Sequence, residues 1–83
     1  MPQTAAVVRR FPHHELVIQR LLGRDATFRE ICADYDDALH ALRYWQSASG
    51  LADPRPEQYR EFVRELEREI ASFLEGVRRS ATG

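Results

Sequence analysis

Gly50-Leu51-Ala52-Asp53-Pro54-Arg55-Pro56 is the stretch that decides the fold of this chain. It separates two long amphipathic patterns, residues 27–49 and 55–77. Glycine suits the left-handed position just past a helix, so Gly50 is expected at C′ with Leu51 folded back on Trp45. Pro54 and Pro56 cannot sit in a helix interior. Both fit a first turn, where the ring's fixed φ is right and the missing N–H would go unsatisfied anyway. Two helices of about twenty residues, each roughly 30 Å long, joined by so short a link must run antiparallel.

Working outward, the helix before the joint reads from 27 to 49. Thr27 with Glu30 three residues on forms a capping box, with Asp25 as the competing N-cap. Phe28, Ile31, Cys32, Tyr35, Ala38, Leu39, Leu42 and Trp45 share one face, and Tyr44 points away toward solvent. The helix after the joint, 55–77, has the cleanest pattern. Tyr59, Val63, Leu66, Ile70, Phe73 and Val77 recur at alternating steps of four and three, a packed seam of coiled-coil type. Phe62 and Leu74 widen it into a bundle face. Glu57–Arg60, Glu61–Arg64 and Glu65–Arg68 are spaced to pair on the solvent side, and Gly76 with the tail 79–83 ends the pattern.

Upstream, Pro12 suits a helix start, and His14, Val17, Ile18, Leu21 and Leu22 fall on one side of a short helix over 13–22 that Gly23 closes. A helix of about ten residues does not hold itself together in water, so it must dock. Residues 1–12 show no period and read as a flexible segment that frays unless something covers its valines. The domain is thus expected over 13–78. No strand candidate, repeat or low-complexity stretch appears.

An 83-residue chain is one domain at most and buries only a modest share of its surface. Its 43% hydrophobic and 30% charged residues fit a folded helical protein. Net charge is −1, so no global field draws nucleic acid or anionic lipid. All 12 basic residues are arginine, which follows from codon usage in a GC-rich genome as readily as from anion recognition. Cys32 is the single cysteine, which rules out an intramolecular disulfide. No apolar stretch approaches membrane-spanning length and no leader is evident, so the expectation is a cytoplasmic protein.

His14-Glu15-Leu16, Arg20-Leu21, Asp25 with Phe28-Arg29, and Tyr35-Asp36-Asp37 together resemble the YdcH-like family of small bacterial proteins. The resemblance covers residues 13–74, its second half in helical pattern and length alone. Ala26 stands where that family often has proline, and Glu65-Leu66-Glu67-Arg68 replaces its Lys-Asp run. The resemblance implies a helical hairpin that assembles with itself, and a role that is unassigned.

Several constellations carry residue types capable of chemistry. Cys32, Asp36 and His40 follow one another at steps of four, the spacing of metal ligands, but the line drifts from the apolar face toward solvent and lacks a fourth member. They are weak candidates beside boundary residues of a bundle. His13-His14-Glu15 opens a helix, with His14 expected as a packed, hydrogen-bonded ring. Asp34, Asp36 and Asp37 lie on different sides of one helix and cannot converge on a substrate. Arg60, Arg64 and Arg68 form a stripe that suits phosphates, but Glu57, Glu61 and Glu65 flank and neutralise it.

The expected architecture is all-α: a short N-terminal helix and a long antiparallel hairpin, completing a four-helix bundle as a homodimer. Phe28, Tyr35, Leu39, Leu42, Trp45, Phe62, Leu66, Ile70, Phe73 and Leu74 form its core and dimer face. A lone hairpin leaves Phe28, Phe62 and Leu74 partly in water, which is the argument for a second copy. The function expected is a self-associating protein–protein interaction adaptor, with a metal- or nucleic-acid-binding helical module as the alternative. No catalytic residue, cofactor or membrane partner is indicated.

Overall fold

The computed structural model describes residues 2–48 and 50–82, with side chains over 5–48 and 50–77. Helices α1 (Pro2–Arg10), α2 (Glu15–Arg24), α3 (Ala26–Ala48) and α4 (Arg55–Thr82) follow one another, with a single 3₁₀ turn at Pro12–His14 before α2. No strand occurs among the described residues.

The hairpin of α3 and α4 is the frame, antiparallel as its short joint requires. Phe28 packs edge-on against Phe73 at 5.4 Å, and Tyr35 bonds Glu67, so residue pairs summing to about 101 lie level along it. Tyr35, Ala38, Val63, Leu66 and Ile70 are buried along its length. The base is the end with Phe28 and Phe73, and the tip is the joint.

The N-terminal residues depart from expectation. Rather than forming a flexible segment, Pro2–Arg10 make a helix that lies on one side of the hairpin, with Ala6 and Val7 buried against α3. Two neighbouring small apolar residues make no visible period, but they fill a groove whose walls already exist. The Phe11 N–H closes α1 onto the Val7 carbonyl (2.9 Å), after which α2 crosses the base of the hairpin.

This arrangement changes the fate of the flanking residues. Phe28 and Leu74, which a bare hairpin leaves wet, are 0% and 4% exposed within one chain, because α1 and α2 cover them. Phe62 alone of the three stays open, at 41%. The four helices of this bundle therefore come from a single chain.

The boundaries also shift. Gly23 does not stop α2, which runs on to Arg24 until the extended backbone of Asp25 breaks it. Asp25 also starts the next helix: its Oδ1 accepts the Phe28 N–H at 3.0 Å, so Asp25, not Thr27, is the N-cap of α3. An aspartate one turn ahead of Phe28 wins because Ala26 and Thr27 can then be helical already. The expected end of this helix at Ser49 lies outside the described residues.

Gly50 does not take the left-handed conformation, since no described glycine has positive φ. Leu51 is fully exposed instead of folding back on Trp45. The guanidinium of Arg55 takes that place, 3.7 Å from the centre of the Trp45 ring. Asp53 locks Arg55 there: its Oδ1 accepts the backbone N–H (2.9 Å) and Nε (3.0 Å), and its Oδ2 accepts Nη2 (2.6 Å). A charge-assisted fork with a stacked ring closes the joint more firmly than one leucine contact does. At the other end α4 continues through Gly76 to Thr82, past the expected stop at 77, because nothing in Arg78-Arg79-Ser80-Ala81-Thr82 breaks a helix.

Candidate functional site

The residues singled out for chemistry do not assemble into a reactive centre. Cys32 faces the core at 1% exposure, and burial pushes its thiol up to about 11, far from a thiolate at neutral pH. His40 lies on the surface, its Nδ1 donating to the Asp36 carbonyl oxygen at 2.8 Å with the Asp36 carboxylate at 3.5 Å. The sulfur thus points into the core while the imidazole stays at the surface. Among the described residues no three of His, Cys, Asp or Glu are placed to hold a metal ion. His14 packs beside Phe11 and Leu74, but the hydrogen bond expected of it is not made at Nδ1, which has no partner among the described residues.

The arginine stripe is largely neutralised. Arg60 pairs with Glu57, and Arg64 reaches Glu61 at 2.6 Å and Glu57 at 3.4 Å. The third expected pair, Glu65–Arg68, is not formed.

One polar contact crosses three helices. The Tyr35 hydroxyl donates to Glu67 Oε2 at 2.8 Å, and Arg10 Nε on α1 lies 3.3 Å from the same oxygen. Burial first, then the Glu67 carboxylate, pushes the Tyr35 phenol well above its ordinary value. Reasoning from sequence missed this contact, though a signal existed. Glu67 sits one turn from both Val63 and Ala71, on the α1-facing edge of the seam, where an acid needs a donor.

The contact also separates the two flanks of the hairpin. Arg64, Glu67 and Ala71 of α4 border Arg10 and Phe11, and Asp36, Leu39, His40 and Arg43 of α3 border Ala5, Ala6 and Arg9. That flank is covered by α1. Helical spacing turns Phe62, Glu65, Glu69 and Phe73 of α4, and Asp34, Ala41 and Trp45 of α3, to the other flank. There α2 covers only the base, leaving a groove of about 770 Å³ bounded by Leu21, Arg24, Glu69, Phe73, Gly76 and Val77. The hairpin register sets Phe62 level with the stretch Ala38–Ala41 of α3, and its ring stays open to solvent.

This open flank, apolar along its floor and charged at its edges, is the one surface whose chemistry suggests recognition. Of the residues expected on a dimer face, Tyr35, Leu66, Ile70 and Leu74 are buried core, Leu39, Leu42, Trp45 and Phe73 are half-buried, and only Phe62 is exposed. Compared with protein families, curated proteins and solved structures, the chain matches none.

Proposed function

We propose that this chain is a non-catalytic protein-interaction module whose binding surface is the flank of the α3–α4 hairpin left open by α1. The observation that carries the reading is the continuity of that flank. Exposed Phe62 and the Phe73–Val77 groove share one face of α4, with half-buried Trp45 of α3 on the same flank, while the opposite flank is closed by a helix of the same chain. Interaction surfaces are marked by such contiguous apolar area with a charged rim.

Self-association through the same flank is the second reading, in keeping with the resemblance to the YdcH-like family, and exposed Phe62 is what favours it. It has less support than the bare hairpin offered, because Phe28 and Leu74 no longer call for a second copy. No described helix is long and apolar enough to cross a membrane, and a soluble, cytoplasmic setting is part of this proposal.

A photo-crosslinking residue at position 62, with a control at position 43 on the covered flank, tests the reading in cells. A protein adduct formed from position 62 only, and competed by unlabelled chain but not by its Phe62→Asp variant, is expected. Absence of a protein adduct at 62, or equal labelling from both positions, would sink it.

A further inference from the structure

We infer that the open flank takes a basic amphipathic helix from another protein, a conclusion that rests on the interaction reading above and names the chemistry of the partner. The argument starts from charge. Asp34 on α3, and Glu65 and Glu69 on α4, are exposed along this flank, and Glu30 and Asp37 are exposed behind it on the solvent side of α3. Among the described residues none of the five is in an ion pair. Elsewhere on α4, by contrast, Glu57, Glu61 and Glu67 are all matched by arginine. The chain thus carries near-zero net charge overall but presents an unbalanced acidic rim on one side.

The basic groups near this flank do not cancel that rim. Arg24 stands at the base end, and Arg55 at the tip is already held by Asp53 and the Trp45 ring. Between them the floor runs from Phe62 to Val77, fifteen residues of α4, or about 22 Å at 1.5 Å per residue. A partner helix of about four turns spans that length, its apolar stripe on Trp45, Phe62 and Phe73 and its cations over the two acidic rims. Among the described residues no sheet edge is available for an extended peptide, so side-to-side helix packing is the mode that fits.

A second copy fits less well. A twofold contact that brings Phe62 of one chain onto Phe73 of the other sets the Glu65 and Glu69 carboxylates of both chains together, and like charges at an interface oppose it. Anionic lipid and nucleic acid are repelled by the same rim.

The test uses the whole chain and two synthetic eighteen-residue helical peptides. Both carry leucines at three- and four-residue steps; one has Lys and Arg at the flanking positions, the other Glu. Trp45, the only tryptophan, lies on the flank and reports binding by its fluorescence. The basic peptide should bind and the acidic one should bind at least tenfold more weakly. Affinity should fall as salt is raised. The double variant Glu65→Arg/Glu69→Arg should lose on the order of tenfold, since each exposed ion pair counts for roughly 1.5- to 5-fold. Glu65→Gln/Glu69→Gln should fall between, with helix content unchanged in both.

Equal binding of the two peptides, or indifference to the Glu65/Glu69 variants, would overturn the inference. A dimer in sedimentation that Phe62→Asp dissolves would give the flank to a second copy instead. If position 62 crosslinks to a protein in cells while the basic peptide does not bind, the basic-helix assignment fails and the interaction reading stands. If neither occurs, both fail.

Discussion

Asp25 does two jobs with one residue. Its N–H donates to the Leu21 carbonyl (2.8 Å) to end α2, and its carboxylate takes the Phe28 N–H to start α3. Asp25→Ala should therefore cost about 0.5–2 kcal/mol in urea unfolding, the range for a lost N-cap, whereas Thr27→Ala should cost far less. Tyr35 is the other residue on which elements meet. Tyr35→Phe removes the hydrogen bond to Glu67 and should cost about 1 kcal/mol at neutral pH. Its folded pKa lies above the ordinary value near 10, so the unfolded chain releases the phenol proton first. That contribution is fully present below about pH 10 and is lost as pH climbs from there through the folded pKa. Chemical unfolding above pH 10 should show the native chain losing stability faster than Tyr35→Phe; parallel curves would contradict this. Cys32, also raised by burial, contributes equally to both.

Among the elements, α1 shows how a short helix is decided by its surroundings. Nine residues do not sustain a helix in water, and its stability comes from burying Ala6 and Val7 against α3. Val7→Ala should destabilise the whole domain by about 2 kcal/mol, two methylene equivalents plus a cavity, where a flexible tail would register nothing. Thermal unfolding separates the two cases. Gly76 in α4 carries the opposite expectation. It lies inside a helix, and a Cβ placed there meets nothing within 4 Å. Gly76→Ala should stabilise by roughly 0.5–1 kcal/mol, because glycine loses more freedom on folding. A destabilised variant would show that another surface packs against that end of the groove.

For the molecule as a whole, coverage is the deciding quantity. One chain closes Phe28, Ile18, Ile70, Val7 and Cys32 to solvent within its own fold. Sedimentation equilibrium at micromolar concentration should accordingly find a folded monomer. A dimer whose melting point rises with concentration would restore self-association as the function of the open flank.

Read from sequence alone, the hairpin was secure. The four-three spacing from Tyr59 to Val77 and the proline-bounded joint at 50–56 leave no other arrangement of two long helices, because periodicity and chain reach are local properties. Burial of Val63, Leu66 and Ile70 followed from that spacing, and burial of Tyr35 and exposure of Tyr44 from the apolar face of the preceding helix. What covers each flank was not legible. Ala6 and Val7 are too few to make a period, and they become a helix face only once α3 offers a groove. The choice of Arg55 over Leu51 as the partner of Trp45 depends on where Asp53 holds a guanidinium in space. The acidic flank is likewise invisible along the chain, where arginines and acids alternate. Only after α1 has occupied one side and Arg10, Arg60 and Arg64 have found their carboxylates does the other side stand out as acidic and open. Sequence determines what each helix needs to bury; packing determines which of those needs the chain meets by itself.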